Sequence, residues 1–354
     1  MKILFISHSY PPIVGGVETQ NYELSRWLGK ITDCTILANK NRKLIPVFLP
    51  FAIIYTIFQA HKYDVIIFGS GLLGVVAWTT KLISKKPIII VTHGLDLTYR
   101  PAWYQKLWVQ KFIPSADKLI AVGNETINAG VSRGIANQKF VFIPNGVDTE
   151  KNLTEASRAD LEKILGISVA GKKILLTSGR LAKRKGVAWF VREVMPKLPS
   201  EYLYVVAGNG PDKENIAKAI AEQKMESRVL TLGYVTDKVR NQLWAVCDLF
   251  VQPNIKIAGD MEGFGISVIE AGACRLPVLA SNLEGLKDAI KEGRSGFLIE
   301  PENAQAYVEK IQALFVDGSP REIFGSRVRD FVLENFQWKE IAKRYLEEIE
   351  KVVH

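Results

Sequence analysis

The stretch 173-KILLTSGRLAKRKGVAWFVREVMPKLPSEYLYVVAG-208 decides the fold. It opens on a continuously apolar run, 173-KILLTSG-179, and closes on another, 202-YLYVVAG-208. Between them lies a helix-length segment, 187-VAWFVREVMPKL-198. An apolar run without polar alternation suits a strand covered on both faces, as in a parallel sheet. Strand, helix and strand in succession form a βαβ unit.

The same alternation extends in both directions. Downstream strands are expected at 229-VLTLGY-234, 248-DLFVQP-253, 277-PVLAS-281 and 297-FLIEP-301, with a helix at 212-DKENIAKAIAEQK-224. Upstream strands are expected at 2-KILFIS-7, 35-TILA-38, 64-DVIIFGS-70, 87-PIIIVTH-93, 118-KLIAVG-123 and 140-FVFIPN-145, with a helix at 17-VETQNYELSRWLGK-30. The pattern restarts near residue 170, after the polar stretch 148-DTEKNLTEASRADLEK-163, which marks a domain junction. The segment 336-FQWKEIAKRYLEEIEKVV-353 reads as a closing amphipathic helix. The expected class is α/β: two Rossmann-like, doubly wound parallel-sheet domains facing across a cleft at the carboxyl ends of their strands.

The composition fits a soluble enzyme, with 47% hydrophobic and 23% charged residues in 354. Cys34, Cys247 and Cys274 form no CxxC pair, which disfavours a disulfide framework or zinc site and points to a reducing compartment. Lys2 and the short run Ile3-Leu4-Phe5-Ile6 read as a first strand, too brief for a signal-peptide core. The net charge is +9, and residues 1–150 carry most of it, with 16 Lys and Arg against 9 Asp and Glu. That excess points to an anionic membrane surface or acidic acceptor, with a plain solubility bias as the alternative. The uncharged run 44-LIPVFLPFAIIYTIFQA-60 is short for a membrane span. Its length favours a buried core helix; a helix facing a membrane or lipid acceptor is the alternative.

Five loops carry candidate chemistry. In 10-YPPIVGGVETQ-20, Gly15 and Gly16 open a helix whose N-terminus favours an anion. In 178-SGRLAKRKGV-187, Arg180 and Lys185 suit a diphosphate, while Lys183 and Arg184 read as solvated. Neither loop is a GxGxxG fingerprint or a P-loop. In 206-VAGNGPD-212, Asn209 and Gly210 form a tight turn suited to a base or ribose. His93 ends an apolar strand in 91-VTHGLD-96, where it can bond a substrate hydroxyl or pyrophosphate, or simply satisfy a local partner. In 262-EGFGISVIEAGA-273, two glutamates flank a Gly263-Phe264-Gly265 turn before a helix starting near Ile266. Glu270 lies inside the apolar run, where an ionised carboxylate accepts two bonds from a vicinal diol. Glu262 either complements the helix N-terminus or holds the ligand beyond its phosphates.

Together these residues resemble the retaining glycosyltransferases of family 4, which have the GT-B fold. The resemblance runs over nearly the whole chain. It rests on the proline and glycine-pair loop at 10–20, 93-HG-94, 144-PNGVD-148, the 179-GR…KG-186 loop, the E-x7-E pair Glu262 and Glu270, and the tail 336-FQWKEIAKRYLE-347. The family commonly has Gly where Arg275 stands in 271-AGACRLPV-278, and often a second Gly where Glu284 stands in 281-SNLEGLKD-288.

The resemblance implies an acceptor-binding domain over 1–155, a nucleotide-sugar-binding domain over 156–335, and a helix over 336–354 crossing back to the first domain. It implies hexose transfer with retention, from a UDP- or GDP-sugar to a glycan or lipid-linked acceptor in cell-envelope polysaccharide synthesis. The catalytic group would be His93, Arg180, Lys185 and Glu262. The donor would be held by Gly15, Gly16, Asn209, Gly210, Gly263, Phe264, Gly265, Ile266 and Glu270. No cofactor, metal or nucleic acid is implied. The expected location is cytoplasmic, peripheral on the inner face of the cytoplasmic membrane. A sugar-nucleotide epimerase or glycan phosphorylase, and a non-catalytic nucleotide-sugar sensor, are the alternatives.

Overall fold

In the computed structural model, residues 1–149 and 154–353 are described. Part of the polar junction at 148–163 therefore lies outside them. Contacts divide the chain into two compact units. Unit 1 holds Met1–Gly146, Gly259–Phe264 and Trp338–His354; unit 2 holds Val147–Ala258 and Gly265–Gln337. The divisions expected at 155/156 and 335/336 thus fall at 146/147 and 337/338, and residues 259–264 leave the second unit. The division at 146/147 adjoins the polar stretch 148–163, whereas the return of 259–264 to unit 1 is set by long-range packing.

Unit 1 is built on β1 (Lys2–Ser7), β2 (Asp33–Ala38), β3 (Val65–Phe68), β4 (Ile88–Thr92), β5 (Lys118–Ala121) and β6 (Phe140–Phe142). The six strands are parallel, in the order β2-β1-β3-β4-β5-β6. Ile3 pairs with Val65 and Ile67 with Ile89. Burial of Leu4, Ile6, Ile66, Phe68, Ile88 and Ile90 explains why these strands read as unbroken apolar runs. Helix α1 (Gly16–Ile31) follows β1; α2 (Ile45–Gln59) and α3 (Gly74–Ile83) flank β3.

Unit 2 holds β7 (Lys173–Ser178), β8 (Tyr202–Ala207), β9 (Val229–Gly233), β10 (Leu249–Gln252), β11 (Val278–Ser281) and β12 (Gly296–Ile299). Their order is β12-β11-β10-β7-β8-β9, again all parallel. Helix α4 (Val187–Glu193) is shorter than expected. Pro196 lacks an amide hydrogen, so a separate 3-10 turn, Met195–Lys197, completes the segment. Helices α5 (Lys213–Glu222) and α6 (Ile266–Ala273) occupy their expected positions, and α7 (Trp338–Val353) begins two residues after the expected start.

The α7 helix belongs to unit 1 and packs on α1. Fully buried Tyr345 accepts a bond from Gln20 Nε2 at 3.2 Å, and the Trp338 ring covers Gly146.

The expected core location of α2 is only half right. Phe48, Ala52 and Thr56 are buried, but Val47, Phe51, Ile54 and Phe58 on its opposite face are 50–67% exposed.

Candidate functional site

An open parallel sheet binds ligands where its strand order reverses, outside the carboxyl ends of the strands. In unit 1 that point lies between β1 and β3. His8 follows β1, Gly69 and Ser70 follow β3, and His93 follows β4. His8 Nδ1 and Ser70 Oγ are 2.8 Å apart. His93 Nε2 lies 2.9 Å from Gly69 O. A carbonyl oxygen can only accept, so Nε2 carries the proton of neutral His93 and Nδ1 is its bare acceptor. Asp96 secures this corner by accepting from His93 N at 2.9 Å and Gly71 N at 2.8 Å.

Segment 259–264 lies against the same strand end. Gly263 is required there because a Cβ would overlap the His93 carbonyl oxygen. Glu262 is 8% exposed and Phe264 is 2% exposed. Glu270 is only half-buried. This reverses the expectation that Glu270 is the carboxylate in apolar surroundings. The α6 helix buries Val268, Ile269 and Ala271 and turns Ile266, Ser267 and Glu270 to one less buried face, so the apolar run encloses only one side of the helix.

The N-terminus of α1 already holds an internal anion. Glu18 accepts from Ser9 Oγ at 2.6 Å and Arg42 Nη2 at 2.9 Å, and its carboxylate fills the space beside Gly15. Burial works to raise the Glu18 pKa, but these bonds outweigh it and hold the carboxyl below its usual value. Gly16 is exposed and Gly15 half-buried at this turn.

In unit 2 the order reverses between β7 and β10. The loops there are joined by backbone bonds: Leu181 N donates to Asn209 O at 3.0 Å, and Ile255 N donates to Arg184 O at 2.9 Å. Gly186 has φ +66°, and a Cβ on it would overlap the Pro253 carbonyl oxygen. Only glycine lets the β7 loop lie so closely on the end of β10. Ser267 Oγ, in the first turn of α6, donates to Gln252 Oε1 at 3.0 Å. The loop bearing Arg180 and Lys185, the end of β10 and the start of α6 therefore meet at one point. Arg180 is exposed and Lys185 half-buried. Arg184, expected to be solvated, is also half-buried because its carbonyl anchors Ile255. Asn209 is exposed and turns back to accept from Gly210 N at 2.8 Å.

A cavity of about 470 Å³ lies beside Lys183, Gly186, Trp189, Arg192 and Asp212. Arg180, Lys185 and Glu270 do not line it, so the candidate chemistry gathers at the strand ends instead. Among the described residues, no group of three or more His, Cys, Asp or Glu side chains is arranged to hold a metal ion.

Sequence reading missed His8, Asp96, Gln252 and Ser267. His8 and Ser70 are 62 residues apart, and no local spacing announces such a pair. The signal available in sequence was position alone: His8 follows a parallel strand, Gln252 ends one, Asp96 lies one turn beyond one, and Ser267 opens the helix after a long loop.

Residues 162–346 match the family described as Glycosyl transferases group 1, and residues 34–151 match Glycosyltransferase Family 4. The chain is 23% identical to an uncharacterized glycosyltransferase of Methanocaldococcus jannaschii, over 97% of this chain and 96% of that protein. It is 25% identical to a GDP-mannose-dependent alpha-(1-6)-phosphatidylinositol monomannoside mannosyltransferase of Mycolicibacterium smegmatis, over 81% of this chain and 76% of that protein. Its fold matches the crystal structure of Anabaena HepE in complex with UDP-glucose, with a TM-score of 0.80 and 21% identity over 99% of this chain and 100% of that one.

Proposed function

The chain belongs to the family Glycosyl transferases group 1 and is a glycosyltransferase with the GT-B fold; from that premise we propose that it transfers a hexose, with retention, from a UDP- or GDP-sugar to a glycan or lipid-linked acceptor in envelope polysaccharide synthesis. The observation that carries this reading is the convergence, within unit 2, of the Arg180–Lys185 loop, the end of β10 and the first turn of α6. That arrangement suits a diphosphate, offering two cations and the positive end of a helix.

As the bond between the sugar and the diphosphate breaks, negative charge grows on the leaving phosphate oxygen. Arg180, Lys185 and the α6 amides stabilise that charge, in place of a metal ion. Glu270, on the open face of α6, accepts from the ribose diol. Asn209 and Gly210 border the base or ribose. Glu262 and the amides of Phe264 and Gly265 hold sugar hydroxyls. Within unit 1, His93 offers Nδ1 as an acceptor to a hydroxyl, while the anion position expected beside Gly15 and Gly16 is taken by the Glu18 carboxylate. The relatives support both nucleotides, since one is GDP-mannose-dependent and one fold neighbour was crystallised with UDP-glucose. A phosphatidylinositol mannoside acceptor in one relative supports a lipid-linked acceptor here.

Released nucleoside diphosphate, measured with a membrane-lipid extract as acceptor, tests the reading. Arg180→Ala is expected to lower kcat by about 10²–10³, the usual effect of losing one stabilising donor. Transfer should continue in EDTA. Wild-type turnover by both Arg180→Ala and Glu270→Ala would overturn the site.

A further inference from the structure

The α2 helix has two apolar faces and the fold uses one. Phe48, Ala52, Thr56 and Ala60, spaced four apart, are buried. Thr80 Oγ1 of α3 donates to Thr56 Oγ1 at 2.9 Å, fastening that side to the unit. On the other side Leu44, Val47, Phe51, Ile54 and Phe58 form a stripe at spacings of three and four, each 50–67% exposed. A helix apolar all round belongs in a core or a membrane. Monomeric soluble proteins rarely leave so continuous an apolar strip in water.

The charge around the strip is one-sided. Residues 34–95 contain 7 Lys and Arg and a single acidic residue, Asp64. Lys40 and Lys43 are exposed before the helix, and His61 and Lys62 after it. Leu82 and Ile83 at the end of the neighbouring α3 are exposed as well, followed by exposed Lys85. The stripe presents no hydrogen-bonding side chain along its length, whereas a specific protein interface carries polar groups around its core. An apolar helix face with cations at its ends matches the interfacial zone of an anionic bilayer.

We propose that the outward face of α2 docks unit 1 on a bilayer bearing anionic headgroups, with the helix lying along the surface and Phe51 and Phe58 entering the acyl boundary. Segment Arg42–Lys62 is apolar and long enough by composition to cross a membrane. However, its inward face is committed to the core through buried Phe48, Ala52 and Thr56, so the helix stays with the unit and only its outward face is available to lipid. Docking goes beyond the transfer reaction proposed above and needs neither donor nor acceptor.

Sedimentation of the full chain with lipid vesicles tests it. Wild type is expected to pellet with phosphatidylcholine vesicles containing phosphatidylglycerol at low salt and to bind pure phosphatidylcholine far less. Phe51→Ser combined with Phe58→Ser removes exposed apolar surface, so its melting temperature should match wild type while vesicle binding falls by at least about tenfold. Lys43→Glu with Lys62→Glu should weaken binding and flatten its salt dependence. Three results would overturn the proposal: no wild-type binding to anionic vesicles, full binding by the double serine variant, or a lipid-free dimer that this variant dissociates. The last assigns the face to a second copy of the chain.

Discussion

Arg275 and Glu284 have φ angles of +61° and +50°, in the left-handed region that favours glycine. These are the two positions where the chain departs from the glycines common in the resembling family, so the backbone conformation is kept and the side chains bear its strain. Left-handed backbone costs an ordinary residue about 1–2 kcal/mol, partly offset by the greater unfolded-state freedom of glycine. Arg275→Gly is therefore expected to raise stability by about 0.5–1 kcal/mol, read as a higher urea midpoint at unchanged slope. His8 makes a second residue-scale prediction. Burial foremost, then neighbouring His93, hold its pKa down to about 4, against the opposing pull of Glu18 and Asp96 and with a further lowering by Arg42. An unfolded-chain histidine titrates near 6.5, so between these values the unfolded state binds more protons and stability falls with pH. The loss should reach about 3 kcal/mol by pH 4, starting as pH drops below 6.5. His8→Asn should flatten urea-unfolding stability across that window; a slope equal to wild type would assign the acid loss to other groups.

Elements were legible where burial was two-sided and ambiguous where it was not. Every strand expected from an apolar run is present; most are covered on both faces and have no polar positions to interrupt them, whereas β2 and β9 are only partly covered. Several runs extend beyond their strands because their last residues turn to bond neighbouring strand ends. In 64-DVIIFGS-70, Gly69 and Ser70 leave the ladder and meet His93 and His8. The α2 helix shows the opposite limit: when every face is apolar, periodicity cannot tell which side meets the core. The contact between α1 and α7 was expected only from the family resemblance. It can be tested through Gln20 and Tyr345, both fully buried. Tyr345→Phe leaves the Gln20 amide without that acceptor and should cost about 1–3 kcal/mol. Adding Gln20→Leu removes the stranded amide, so the double variant should be more stable than Tyr345→Phe alone. Additive losses would mean the bond contributes nothing to holding α7.

At the scale of the whole molecule, alternation of strands and helices announced two units, but not the return of residues 259–264 and 338–354 to the first. Gly263 reaches unit 1 by fitting against the His93 carbonyl, and the contact spans too many residues to leave a local mark. The strand orders are more informative than the boundaries. They differ between the units, yet each reverses at the point where candidate side chains gather. Unit 2 assembles Arg180, Lys185, the α6 start and Glu270 from its own residues, so its nucleotide affinity should not depend on an acceptor. Binding to the folded state alone adds about 2.7 kcal/mol at a ligand concentration 100 times Kd. For a unit of roughly 200 residues that corresponds to a melting shift of about 5–10 °C. Among UDP, GDP and ADP, the nucleotide matching the donor should give this shift, with Arg180→Ala and Glu270→Ala each reducing it while their ligand-free melting stays near wild type. A shift retained in both variants would place the nucleotide elsewhere in the chain. No shift with any of the three at millimolar concentration would deny unit 2 the diphosphate role and remove the basis for the assigned donor, even if the fold stands.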